Sequence, residues 1–276
     1  TGVCIVTFLY LALYFEDATP IYSIHPIAIS LFNYSNILFS MLLIGLCSCY
    51  FKISVNKAES ALEKEQQRSE DLLHNILPIP IARRLKNEAK TIADGFNSVT
   101  VLFVDIVGFT EFSSNKSPEK LVELLNEVFS IFDDLAIKHN LEKIKTIGDA
   151  YMVAAGVPDQ GYNDAERIAE FALDLILELE KHNKSTRNDL NVRVGINSGP
   201  VVAGVIGKMK FIYDLWGDAV NIASRMESHG LTGKIQVSES TFELLSDKFE
   251  FEKREEILVK GKGMMQTYIL KEKKRY

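Results

Sequence analysis

Two aspartates stand where a carboxylate needs a reason. Asp105 lies near the end of a continuous apolar run, Val99 to Val107 (VTVLFVDIV), and burying its charge there is costly unless a metal ion or a capping role compensates it. Asp149 follows Gly148, and a Gly-Asp dipeptide is by itself a good hairpin turn. Two carboxylates converging from neighbouring strand ends, however, make a hard-cation site, whose oxygen ligands hold Mg²⁺ or Mn²⁺ together with substrate phosphates. Gly195, Gly199, Gly204 and Gly207 suggest close backbone turns. Gly199 and Gly204 have the spacing of a P-loop, but Val205 and Ile206 follow where Lys and Ser/Thr are required, and no GxGxxG occurs. Both common glycine-rich nucleotide sites are therefore excluded.

The elements that must carry these residues read as strands and helices in alternation from Asn97 onward. Val99–Val107 is a buried strand. Ser117 and Pro118 open a helix to about Lys138, with a cap and a first-turn proline. Leu141–Ile147 and Tyr151–Ala155 form a hairpin around Gly148 and Asp149. Asn163 with Glu166 predicts a capping box at the start of a second long helix. Val192–Asn197 is a further strand, Asp218–Ser228 a helix, and short strands near Ile235 and Tyr268 close the domain. The order β-α-β-β-α-β predicts an α+β fold: a ferredoxin-like antiparallel sheet with helices on one face, leaving the other free to cover a partner or ligand.

Ahead of this lies a different texture. Residues 1–51 contain no Lys or Arg and only two acids, Glu16 and Asp17. Val3–Phe15 is apolar, and Leu31–Phe51 runs 21 residues without a charge, enough at about 1.5 Å per residue to cross a hydrocarbon core of about 30 Å. Lys52 and Lys57 follow this stretch, while the loop from Glu16 to His25 has no positive charge, so the positive-inside rule predicts an integral membrane protein with everything after Lys52 cytoplasmic. The chain opens at Thr1, and earlier spans are expected to be missing. Cys4, Cys47 and Cys49 all lie in the membrane segments; residues 52–276 have none, which excludes a Cys-based zinc site or thiol nucleophile there. Ser54–Lys90 begins as a charged helix (AESALEKEQQRSEDLLHNI) with a weak coiled-coil seam. Pro78 and Pro80 break it, and Ile81–Leu85 restarts a short amphipathic turn. The net charge of −6 argues against nucleic acid as a partner.

Four blocks, FVDIVGFT (103–110), KTIGDAY (145–151), VRVGINSG (192–199) and YDLWGDAVNIASRM (213–226), with VKGKG (259–263) near the end, resemble in this order the catalytic domain of class III nucleotide cyclases. The resemblance covers about residues 92–270, and LLHNILP (72–78) resembles the linker preceding that domain in membrane cyclases. It divides the chain into a membrane segment with two transmembrane helices (1–51), a helical linker (52–91) and the cyclase domain (92–276).

The resemblance implies roles residue by residue. Asp105 and Asp149, with the backbone carbonyl of Ile106, would bind two divalent cations, Mg²⁺ or Mn²⁺. Lys145 and Asp214 would read the purine, Asn221 would orient the ribose and Arg225 would stabilise the transition state. Arg193 and Lys260 would contact phosphates, Lys262 being an adjacent alternative to Lys260. Adenine offers an acceptor at N1 and a donor at its amino group, which suits a Lys donor and an Asp acceptor; guanine reverses both, and a guanylyl-type pair would be Glu and Cys. The implied activity is adenylate cyclase, ATP to 3′,5′-cyclic AMP and pyrophosphate, in a homodimer with its sites at the subunit interface. The alternatives are guanylate cyclase and a silent cyclase-like signalling or dimerisation module; the latter would lack metal aspartates or the Asn/Arg pair, all present here.

Overall fold

The computed structural model describes residues 25–87, 92–114, 117–161, 163–207 and 211–275, of which 110, 112 and 114 by backbone alone. The apolar stretch Val3–Phe15 lies outside them. The chain divides after Ser69 into two units. The first consists, within the described residues, of most of one helix, α1 (Pro26–His74), which buries none of its side chains. Leu31, Phe32, Leu38, Phe39, Leu42 and Ile44 are all more than half exposed. A core helix would hide such residues, and α1 is long and apolar enough to cross a membrane.

The second unit takes in the end of α1 and then α2 (Ile79–Asn87), with Pro80 in its first turn, where a missing N–H costs nothing. Then come β1 (Ala93–Ile106), a turn, α3 (Phe109–Ser114), α4 (Pro118–Lys138), β2 (Glu142–Ile147), β3 (Ala150–Ala155), α5 (Asp164–Thr186), β4 (Val192–Ile206), β5 (Ile212–Trp216), α6 (Asp218–Ser228), β6 (Ile235–Ser238), α7 (Glu239–Leu245), β7 (Phe249–Lys253), β8 (Ile257–Val259), β9 (Gly263–Met265) and β10 (Thr267–Lys273). The sheet order is β2-β3-β1-β4-β6-β10-β7, with β5 paired to the far part of β4. Its first four strands have the expected ferredoxin-like order and are antiparallel. The whole sheet is mixed, because β6 runs parallel to β4.

The helices are not confined to one face, which corrects the expected architecture. Leu102, Val104 and Ile106 point from β1 into a core formed with α4 and α5, around Phe132 and Phe171. The alternate residues Val99, Val101 and Phe103 point the other way, into a second core. There Ala219 and Ala223 of α6 and Leu77, Ile81 and Ala82 beside and within α2 cover the sheet. The face expected to be open thus carries its own packed layer.

The start of α4 is as expected: Ser117 Oγ accepts from Lys120 N–H at 3.5 Å. That of α5 is not. Asn163 sits in the left-handed region (φ 62°) and its side chain makes no cap. Instead the Asp164 carboxylate accepts from Gly161 N–H at 3.2 Å, and Glu166 is drawn away by Lys248 (2.5 Å) and Lys273 (3.0 Å). The glycines of β4 also differ from expectation, because Gly195, Gly199 and Gly204 lie within one long strand rather than in turns. Gly195 and Gly204 permit close approach: a Cβ on Gly195 would fall 1.9 Å from Glu227 N, and one on Gly204 2.4 Å from Ile92 O.

Candidate active site

Three groups of residues build the site. In the first, antiparallel pairing sets Asp105 opposite both Ala150 and Arg193, so Asp149, in the β2–β3 turn beside Ala150, comes next to Asp105. Gly148 makes that turn with φ 64°. Alternation puts Asp105 on the same face as Phe103, where Arg193 Nη2 donates to Asp105 Oδ2 at 2.8 Å. Arg193 Nε donates to Glu227 Oε1 at 3.1 Å. Burial, then the charge and hydrogen bonding of Asp105, hold the Asp149 carboxyl above its ordinary range, against the pull of its own backbone hydrogen bond and of Arg193. Burial lifts Glu227 to about 7; Asp105 and Asp149 add to the shift and Arg193 opposes it.

Two partly buried carboxylates side by side, balanced by the single guanidinium of Arg193, offer hard oxygen ligands. This donor set fits a divalent cation shared with a polyanionic substrate. It is an open set: no group of three His, Cys, Asp or Glu side chains forms a closed cage among the described residues. Ile106 ends β1 beside Asp105, with its side chain in the first core.

The second group is an ion pair. Lys145, on β2, donates from Nζ to Asp214 Oδ2 on β5, joining two strands far apart in sheet order. Asp214 Oδ1 accepts from Leu215 N–H at 2.8 Å, which fixes the carboxylate plane. The pair is partly open, Lys145 at 34% and Asp214 at 14% side-chain exposure, so an entering molecule can reach both.

The third group surrounds a cavity of about 540 Å³ between α6 and the turn joining β8 to β9. Asn221 and Arg225, four residues apart on one face of α6, line it with Lys260 and Lys262. Lys262 is tied to Asp218 at 2.5 Å, whereas Lys260 has no ion pair among the described residues and remains available to an anion.

The structure therefore brings together Asp105, Asp149 and Arg193; Lys145 and Asp214; and Asn221, Arg225 and Lys260. Glu227 was missed. Ala219, Ala223 and Glu227 recur at four-residue spacing on the buried stripe of α6, and an acid on that stripe was the signal available.

A split ferredoxin-like sheet with paired acids at the end of β1 and an Asn/Arg helix beside it defines a nucleotide-cyclase type of domain. The family described as "Adenylate and Guanylate cyclase catalytic domain" matches residues 92–272, and the chain belongs to it. An adenylate cyclase of Mycobacterium tuberculosis is 48% identical over 215 residues, which is 78% of this chain and 48% of that protein. The rat guanylate cyclase soluble subunit beta-2 is 45% identical over 208 residues, 75% of this chain and 30% of that one. The chain thus matches about half the length of the former and less of the latter. Among solved structures, the guanylate cyclase domain of RhGC from Catenaria anguillulae in complex with GTP has a TM-score of 0.64 at 40% identity, covering 66% of this chain and all of that one. The adenylyl cyclase CyaB from P. aeruginosa has 0.63 at 30%, covering 66% and 97%.

Proposed function

We propose that this chain is a membrane-anchored adenylate cyclase that converts ATP to 3′,5′-cyclic AMP and pyrophosphate. The observation that carries the base choice is the Lys145–Asp214 pair. Pairing consumes one of the three Lys145 donors and leaves lone pairs on the carboxylate, so a donor and an acceptor stand side by side for N1 and the amino group of adenine. Guanine in the same orientation meets donor with donor and acceptor with acceptor. The relatives include both activities, and the cysteine of a guanylyl-type pair is missing from residues 52–276.

Asp105, Asp149 and the carbonyl of Ile106 would hold divalent cations, Mg²⁺ or Mn²⁺, which would supply charge neutralisation to the reacting phosphates. Arg193 and Lys260 bind phosphate oxygens, and Asn221 holds the ribose so that its 3′-OH lies in line with the α-phosphorus. The O3′–P bond forms, the bond from that phosphorus to the bridging oxygen of the β-phosphate breaks, and the hydroxyl proton passes to solvent. Arg225 places a fixed cation against the charge that grows in the transition state. No protein nucleophile is required.

Arg225 and Glu227 lie on one helix about 200° apart, so α6 turns its Asn/Arg face away from Arg193 and Asp105. One nucleotide then engages the acids of one chain and the Asn/Arg helix of a second, and the working unit is a homodimer with two equivalent sites. The apolar part of α1 anchors it in the membrane, with Lys52 and Lys57 marking the cytoplasmic side. The test is the whole chain in detergent with ATP or GTP and either cation, scored for cyclic product. Cyclic AMP well above cyclic GMP supports the reading; the reverse makes this a guanylate cyclase, and neither makes it a silent signalling module.

A further inference from the structure

Helix α6 presents functional groups in two directions. Asn221 and Arg225 face the cavity, and Glu227 faces the sheet with only 9% of its surface exposed. Its Oε1 takes the Nε–H of Arg193 at 3.1 Å, while Nη2 of the same guanidinium reaches Asp105 Oδ2 at 2.8 Å. The arginine is thus fastened at the root of its planar group and extended at its tip. The backbone enforces this arrangement, because Gly195 lets the main chain of Glu227 rest directly on β4.

An apolar residue would pack on the stripe of Ala219 and Ala223 without the cost of burying a carboxylate. What the acid adds is direction. With Nε held, the four remaining N–H donors lie on the two terminal nitrogens, in a fixed fork suited to phosphate oxygens. Resting on the function above, we infer that Glu227 is a positioning residue: it holds Arg193 by Nε so that its fork stays aimed at the meeting point of Asp105 and the substrate phosphates. Substrate then exchanges Asp105 for phosphate as the partner of the fork, while the Glu227 bond persists.

The experiment uses the whole 276-residue chain in detergent, as wild type, Glu227→Ala, Glu227→Gln, Arg193→Ala and the Glu227→Ala/Arg193→Ala double variant. Binding of 3′-deoxy-ATP with Mg²⁺, which cannot cyclise, is read by calorimetry, and KM and kcat are read with ATP. Glu227→Ala should weaken binding and raise KM about 10-fold, with a smaller change in kcat. Glu227→Gln, which keeps an acceptor, should recover most of the loss. In the Arg193→Ala background, Glu227→Ala should add nothing further. Independent, multiplying losses overturn the positioning role, as does an unchanged dissociation constant in a folded Glu227→Ala chain. If Glu227→Ala loses its cooperative melt, Glu227→Met, which fills the space without an acceptor, carries the same comparison. A wild type that neither binds the analogue nor cyclises ATP or GTP removes the function and this role together; one that does both, with Glu227 acting independently of Arg193, removes only the role.

Discussion

In the proposed reading, Lys145 and Asp214 tell the two purines apart by which atom donates. Replacing them with Glu and Cys should lower the ratio of ATP to GTP turnover by at least about 10-fold, since an acceptor facing N1 of adenine leaves two acceptors unmatched at about 1–3 kcal/mol. The ratio, measured in a folded double variant, is the informative quantity. Glu142 supports a different prediction, because burial pushes its carboxyl from 4.5 up to about 7. Between those values the folded chain binds more protons than the unfolded one, so this residue makes stability fall as pH rises through the window and leaves it lower above about 7. Glu142→Gln should remove that fall. It should match the wild type in denaturation near pH 4.5 and exceed it by about 1–3 kcal/mol at pH 8. Asp105 was legible in the sequence because a carboxylate closing an apolar strand is an anomaly in one dimension. Glu142 and Glu227 were not, since an acid in a mixed segment looks solvated until the fold buries it.

Strands and helices were legible where their pattern was local. Helix α6 has its expected bounds, Asp218–Ser228, and α4 starts at the predicted serine-proline signal. Strand β4 was cut short at Asn197 because its glycines read as turns, whereas they serve contacts made by distant residues. Strand β7 (FEFEK) is short, with Phe249 and Phe251 turned to the core and its charges to solvent, and its place beside β10 depends on a pairing remote from any local pattern. The capping box at Asn163 failed for the same reason: Lys248 and Lys273, remote in sequence, claim Glu166. The close seat of α6 on β4 leads to a prediction at this scale. Gly195→Ala places a methyl against backbone and should destabilise by about 1–3 kcal/mol, seen as a lower denaturation midpoint at unchanged slope. Activity should fall more than stability does, because the helix that shifts carries Asn221, Arg225 and Glu227.

For the assembled molecule, a site made from two chains can be repaired by mixing. Asp105→Ala and Arg225→Ala chains, each inactive alone, should regain up to about half the activity per mixed pair, since one of its two sites is then intact. Mixtures that stay inactive while subunits demonstrably exchange would show that the site belongs to a single chain. The two-sided character of α6 gives this a further consequence in gene dosage. In a random mixture with wild type, an Arg225→Ala chain spoils one site of each mixed pair, and output falls in proportion to the wild-type fraction. A chain whose α6 is dislodged, as by a large residue at Gly195, loses Arg225 from one site and the footing of Arg193 in the other. With ATP below the raised KM, output then falls toward the square of the wild-type fraction, and such an allele depresses its partner's site where the point lesion is merely additive.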